Sequence, residues 1–313
     1  MTYEEAISAV GVAKRYGLGA PALDGVSFQA AAGAVTALLG PNGAGKTTMI
    51  RILSTLLRPD AGQARVGGHD VVTERGRVQD LIGLTGQSLA VDGRLSGPEN
   101  LAMFGRLHRL TWPAVRARSA DLLEVFDLAK AGKKAVKTYS GGMRRKLDLA
   151  ISLMAEPRIL FLDEPTTGLD PASRHALWDI IRGLVGLGAT VLLTTQYLDE
   201  ADALARDVVF INAGRVVATG TPAELKAQTG QAQFELIAAS DADFARLTAA
   251  LAAFSYVHGD AASRAMRVAV ANGVGDLNAI TAAVAHSGAE IERFALHEPD
   301  LDDVYFELTR ETV

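Results

Sequence analysis

The stretch Gly40-Pro41-Asn42-Gly43-Ala44-Gly45-Lys46-Thr47-Thr48 constrains this chain more than any other. A glycine, four residues and then Gly-Lys-Thr make the phosphate-loop pattern, which has meaning only between a strand and a helix. Both flanks fit. Ala34–Leu39 is an apolar run, and Met49, Ile50, Leu53, Leu56 and Leu57 recur at helical spacing until Arg58-Pro59-Asp60-Ala61-Gly62 breaks the pattern. Glycines let successive backbone N–H groups approach phosphate oxygens closely. The helix start adds the positive end of its dipole. In such a loop Lys46 neutralises the β- and γ-phosphates, Thr47 ligates Mg²⁺ and Thr48 reaches the α-phosphate, so ATP with Mg²⁺ is the expected ligand. The competing reading, a chance glycine turn, gives no reason for the flanking strand and helix.

A second segment carries acid. Ile159-Leu160-Phe161-Leu162 is an apolar strand that runs into Asp163-Glu164-Pro165. Carboxylates at the C-terminal end of a buried strand stand where an α/β sheet binds its ligand. Asp163 is then a Mg²⁺ ligand, and Glu164 the general base for an attacking water. Taken alone, a strand ending in two acids is more simply a strand running out into solvent; the phosphate loop makes the difference.

The remaining pattern is α/β. Strands are expected at Ala6–Ala13, Leu23–Ala30, Thr190–Thr195 and Val208–Ile211, and helices at Ala172–Gly183 and Leu198–Ala205. Residues 96–156 read as helical, opened by Ser96-Gly97-Pro98-Glu99, which resembles a capping box. Beyond a small, polar linker near Ala227–Gln233 the order becomes strand, helix, strand, strand, helix, strand, the ferredoxin-like arrangement, with a last helix at Leu301–Thr309. Two domains are expected, 1–228 and 229–313.

Composition excludes several classes. Without a cysteine there is no disulfide framework, thiolate metal site or cysteine nucleophile. A net charge of −5 disfavours nucleic acid as a partner. Met1-Thr2-Tyr3-Glu4-Glu5 is acidic where a secretory leader is basic, and no 18 apolar residues run together, so a membrane role is expected to work through a partner.

Tyr139-Ser140-Gly141-Gly142-Met143-Arg144-Arg145-Lys146 resembles the signature segment of ABC ATPases, with methionine where glutamine is commonest. Gln87, 41 residues after Lys46, resembles the Q-loop, and Gly168-Leu169-Asp170 the D-loop. Together with the phosphate loop and the acidic strand these cover about residues 5–225. The resemblance implies a phosphate-loop nucleotide-binding fold with a mixed sheet and a helical subdomain. It implies head-to-tail pairing of two cassettes, so that Ser140, Gly141, Gly142 and Met143 act on the nucleotide of the neighbour. It adds Gln87 to the Mg²⁺ ligands and Tyr16 as the aromatic that stacks on adenine; a tyrosine merely packed in a hairpin is the plainer alternative. The basic residues around the signature (Lys133, Lys134, Lys137, Arg144, Arg145 and Lys146) read either as a solvated face or as part of a nucleotide-attracting field.

The sequence departs from that family at one point. Thr194-Thr195-Gln196-Tyr197-Leu198-Asp199-Glu200-Ala201-Asp202 has Gln196 where histidine is expected. An amide donates to a γ-phosphate oxygen but carries no proton, so it orients and stabilises only. This segment, "GLTGQSLAVD" around Gln87 and "EPDLDDVYFELT" near the end resemble the daunorubicin/doxorubicin-resistance ATP-binding subunits of bacterial exporters. That likeness implies a separate membrane permease, a homodimer of cassettes, an amphiphilic drug or lipid as cargo, and a place on the cytoplasmic face of the membrane. A soluble ABC protein, a non-hydrolysing switch and an importer subunit are the alternatives. A single phosphate loop, an intact Glu164 and a C-terminal pattern unlike an all-β barrel stand against them in turn.

Overall fold

A computed structural model describes residues 5–86, 90–228, 232–254 and 256–310. All five residues of Val35–Leu39 are buried, as are all of Ile159–Asp163 and Thr190–Thr195. Strands apolar on both faces belong to a parallel sheet covered on both sides, and these three lie side by side. The sheet order is Arg215–Gly220, Asp207–Asn212, Val35–Leu39, Thr190–Thr195, Ile159–Asp163, Ile82–Thr85. Every pairing is parallel except the edge strand Arg215–Gly220, so the sheet is mixed. The helix Lys46–Leu53 packs Met49, Ile50, Ile52 and Leu53 into one core with Leu38, Phe161, Leu192 and Val209. Each such side chain contributes roughly 1.5–3 kcal/mol on burial.

The first two strands do not join this sheet. Glu5–Arg15 and Pro21–Ala31 form a separate antiparallel sheet with Ala61–Val66 and His69–Asp70. Residues 61–85, to which the sequence assigns no element beyond the helix-breaking Ala61-Gly62, hold these two strands, the helix Arg75–Leu81 and the strand Ile82–Thr85. The helix expected to reach Leu57 stops at Leu53, where Ser54 caps it and Thr55 turns left-handed at φ 65°. The helical region contains Gly97–Leu107, Trp112–Val125 and Gly141–Ser152. Ser96 and Glu99 close the capping box in both directions, with Glu99 Oε2 accepting from the Ser96 N–H at 2.7 Å.

The chain forms two compact units, Met1–Pro222 and Ala223–Val313. In the second unit all strand pairings are antiparallel, in the order Tyr256–Asp260, Ala265–Val270, Ala232–Ala238, Ile291–His297. The two inner strands are the first and third in the chain, which is the ferredoxin-like topology the element order implies. Phe234, Leu236, Ala238, Met266 and Val268 pack with Leu247 and Ile280 of the two helices. Among the described residues no helix is long and apolar enough to cross a membrane.

Candidate functional site

Parallel strands place their C-terminal ends on one edge of the sheet, and four distant segments meet there. Register pairs Leu39 with Thr195, Asp163 with Thr194, and Thr85 with Leu162. The residues that leave these strands, Gly40, Gln196, Glu164 and Gly86, therefore emerge side by side. This is the crevice in which open α/β sheets hold ligands.

An open cleft of about 600 Å³ lies over the loop. Asn42, Gly43, Gly45, Lys46, Thr47 and Thr48 line it, with Glu164 opposite and Ala22 from the first hairpin at its rim. Gly45 has φ +107°, and a Cβ there would stand 2.4 Å from the Ala22 carbonyl oxygen. Only glycine fits the turn that feeds the helix. Lys46 is buried, and its ammonium donates to the carbonyls of Gly40 at 2.7 Å and Pro41 at 3.0 Å. Glu164 Oε1 is 3.6 Å from the same nitrogen. Burial pulls the Lys46 ammonium below its usual range, and the Glu164 and Asp163 carboxylates oppose that.

Asp163, the last residue of its strand, is held by hydroxyls. Its Oδ1 accepts from Thr194 at 2.6 Å and from Thr47 at 3.1 Å. The donor set, one carboxylate and a hydroxyl beside a phosphate cradle, is the hard-oxygen kind that fits Mg²⁺, which takes few protein ligands and completes its shell with phosphate and water. Among the described residues there is no group of three or more His, Cys, Asp or Glu side chains placed to hold a metal ion. Gln87 lies outside the described residues. Glu164 has φ 49°, a conformation that costs a non-glycine residue about 1 kcal/mol or more. Its backbone is held on both sides: the N–H meets the Thr194 carbonyl at 3.1 Å and hydroxyl at 3.0 Å, and the carbonyl accepts from Arg145 at 2.7 Å and from the Thr167 N–H at 3.3 Å.

Arg145 corrects the reading of a basic surface run. It is 7% exposed, on the helix Gly141–Ser152. Its guanidinium donates to four carbonyls: Pro165 at 2.7 Å, Gly86 at 2.9 Å, Glu164 at 2.7 Å and Asp163 at 3.1 Å. Asp148 stands 4.0 Å away. Burial pushes the Asp148 carboxyl up, and the Ala90 N–H and Arg145 pull it back. The signature helix is thereby bolted to the end of the acidic strand. Ser140 caps that helix by accepting from the Met143 N–H at 3.2 Å, and Ser140 and Gly141 are exposed. Gly142 touches another segment: a Cβ there would lie 2.7 Å from Ser173 Oγ.

Asp170 serves as N-cap of the helix Pro171–Gly186. It accepts from the Ser173 N–H at 2.9 Å and hydroxyl at 2.6 Å, and these bonds hold its carboxyl below the usual range. Tyr16 sits in the turn between the first two strands, 50% exposed, and is not among the cleft-lining residues; Ala22 of the same hairpin is. The Gln196 amide makes no hydrogen bond to any described residue, and its corner is closed by the Tyr197 N–H donating to Thr195 Oγ1 at 2.9 Å. Sequence reasoning gave no role to Thr194 or Glu200. Thr194 was legible as a hydroxyl paired in register with the acid, once the strands are known to be neighbours. Glu200 is fully buried and accepts from the Trp178 indole at 3.1 Å. Burial raises its carboxyl; the Thr195 and Thr166 hydroxyls partly offset this, yet neither makes a well-aligned bond to Oε2.

Comparison with known proteins decides the family. Residues 23–167 match the family described as ABC transporter, and residues 220–309 match "ATP-binding protein DrrA1-3-like, C-terminal domain". A daunorubicin resistance ATP-binding protein of Streptomyces coeruleorubidus is 51% identical over 98% of this chain and 96% of its own length. The chain belongs to the daunorubicin/doxorubicin-resistance family of ABC transporter ATP-binding proteins. A doxorubicin resistance ATP-binding protein of Mycobacterium tuberculosis is 47% identical over 96% of this chain and 92% of its own. Among solved structures, cbiO1 of Clostridium perfringens, part of the ABC transporter complex cbiONQ, matches with TM-score 0.67 and 25% identity, covering 72% of this chain and 92% of that one. As an ABC ATP-binding subunit this chain is an ATPase.

Proposed function

We infer that this subunit is the motor of a bacterial exporter, in which ATP-driven pairing of two cassettes and hydrolysis work a separate membrane permease. The observation that carries the reading is the meeting of Lys46, Thr47 and Glu164 around one cleft, with Asp163 bonded to Thr47 and with Lys46 and Glu164 at 3.6 Å. A cation for the γ-phosphate and a base for water stand at the same spot, as phosphoryl transfer to water requires.

Each residue then has a task. The N–H groups of 40–45 cradle the phosphates, Lys46 leaves Glu164 for the γ-phosphate, and Thr48 lies beside the α-phosphate. Thr47 and Asp163, with Gln87, would hold Mg²⁺, which when bound neutralises charge on the β- and γ-phosphates. Glu164, freed of Lys46, takes the proton of the attacking water, and Gln196 donates its amide to the γ-phosphate. Tyr16 faces the adenine. Ser140, Gly141, Gly142 and Met143 close on the nucleotide of a second copy, with Asp170 beside them. Residues 1–228 make up the cassette and 229–313 an accessory domain. Relatives named for daunorubicin and doxorubicin resistance support an amphiphilic drug or lipid as cargo and a place on the cytoplasmic face of the membrane, docked on the permease. The test is Glu164→Gln. Expected is undiminished ATP binding with hydrolysis lost and an ATP-trapped dimer on gel filtration. Hydrolysis at the wild-type rate would remove Glu164 from the role of base.

A further inference from the structure

Gln196 occupies a corner between the strand Thr190–Thr195 and the helix Leu198–Leu204. Its own amide makes no hydrogen bond to a described residue, and among the described residues what aims it acts through its neighbours. Tyr197 and Asp199 both lead to one residue on another helix. The Arg174 guanidinium carbon lies 5.8 Å from the Tyr197 ring centroid, and Arg174 Nη1 is 3.0 Å from Asp199 Oδ2. The same carbon is also 5.4 Å from the Trp178 ring, whose indole is anchored on buried Glu200. A guanidinium near two rings and a carboxylate can use its planar face and its donors at once, which a lysine cannot match. Arg174 belongs to the helix capped by Asp170, and its N–H bonds the Asp170 carbonyl at 3.0 Å.

We propose that Arg174 is a positioning residue for hydrolysis: gripping Tyr197 and Asp199, it fixes the corner that presents the Gln196 amide to the γ-phosphate, and ties that corner to the Asp170 helix. This rests on the reading of Gln196 as a γ-phosphate contact. Arg174 lies one turn into its helix and is not among the residues that line the cleft over the phosphate loop, so it is not placed as a nucleotide contact. It acts on the rate through Gln196, and its loss leaves ATP affinity in place.

The experiment is a double-mutant cycle on the full chain with MgATP, measuring kcat, KM and melting temperature for wild type, Gln196→Ala, Arg174→Met and the double variant. Loss of one neutral hydrogen bond slows hydrolysis roughly 2- to 13-fold in Gln196→Ala. Arg174→Met should lower kcat by a similar factor with KM unchanged, and the double variant should be no slower than the slower single. Should Arg174→Met fold poorly, Tyr197→Leu and Tyr197→Phe give the same information, since only the first removes the ring Arg174 stacks on; Leu should slow hydrolysis and Phe should not. Additive losses, or wild-type kcat in Arg174→Met alongside a slow Gln196→Ala, overturn the positioning role and leave the reading of Gln196 intact. A Gln196→Ala variant as fast as wild type overturns both.

Discussion

Replacing Arg145 by alanine removes four hydrogen bonds at once, and the structure says how many of them count. The bonds to Pro165 and Asp163 are buried, whereas those to Gly86 and Glu164 are only partly so. Water can take over at the partly buried carbonyls. The two buried ones stay unpaired, at about 1.5–3 kcal/mol each for bonds from a charged donor. The resulting figure of about 3–6 kcal/mol agrees with the ~3–5 kcal/mol typical of breaking a buried charged contact. In a unit of this size each kcal/mol moves the melting temperature by about 2–4 °C, so Arg145→Ala should melt about 6–24 °C lower. Both tryptophans of the chain, Trp112 and Trp178, lie in the first unit, so indole fluorescence follows that unit alone. Arg145→Lys keeps a charge near Asp148 without the planar fork and should fall between. Below the melting temperature the Ala variant should still bind ATP but hydrolyse it more slowly, because Glu164 loses one of the bonds that hold its left-handed backbone. A fluorescence melt within about 2 °C of wild type would refute the clamp.

Two further outcomes are expected. Glu200 is neutral in both states below the ordinary glutamate value of 4.5; as pH rises the unfolded chain ionises first, so the folded state loses stability between 4.5 and the raised folded value. Glu200→Gln has no such loss, so its stability relative to wild type should grow across that window in urea melts, and a difference flat between about pH 4 and 8 would contradict the burial argument. Ser140→Arg and Lys46→Ala should each abolish hydrolysis alone, yet an equimolar mixture should recover roughly a quarter of the wild-type rate, since half of random dimers are mixed and each carries one intact composite site. Inactive mixtures in which mixed dimers are shown to form would count against pairing in trans.

The legible part of the site was the part written locally. Gly40 to Thr48 needs only its own strand and helix, and the acids at 163 and 164 need only the strand they end. The ferredoxin-like second unit was legible for a similar reason, since its order of elements already implies the pairing. Arg145, Thr194 and Glu200 were not, because their roles exist only across the sheet edge. An arginine two residues from Met143 reads as surface charge until its helix is seen lying against Pro165. Residues 61–85 were missed because their strands are short and carry Gln63, Arg65, His69 and Asp70, which blunt the apolar alternation.

The close approach of Gly142 to Ser173 constrains any redesign of this protein. Ser173 cannot swing aside for a methyl group without giving up its 2.6 Å bond to Asp170. Gly142 is therefore required twice, once by the backbone it exposes and once by a serine 31 residues further along the chain. Positions 142 and 173 form a linked pair: alanine becomes tolerable at the first once the second gives up its hydroxyl, as alanine or glycine does, and that exchange also strips the hydroxyl from the Asp170 cap. Libraries that vary the two segments independently will be filled with misfits, while libraries that vary them as one unit sample the sequences this scaffold accepts.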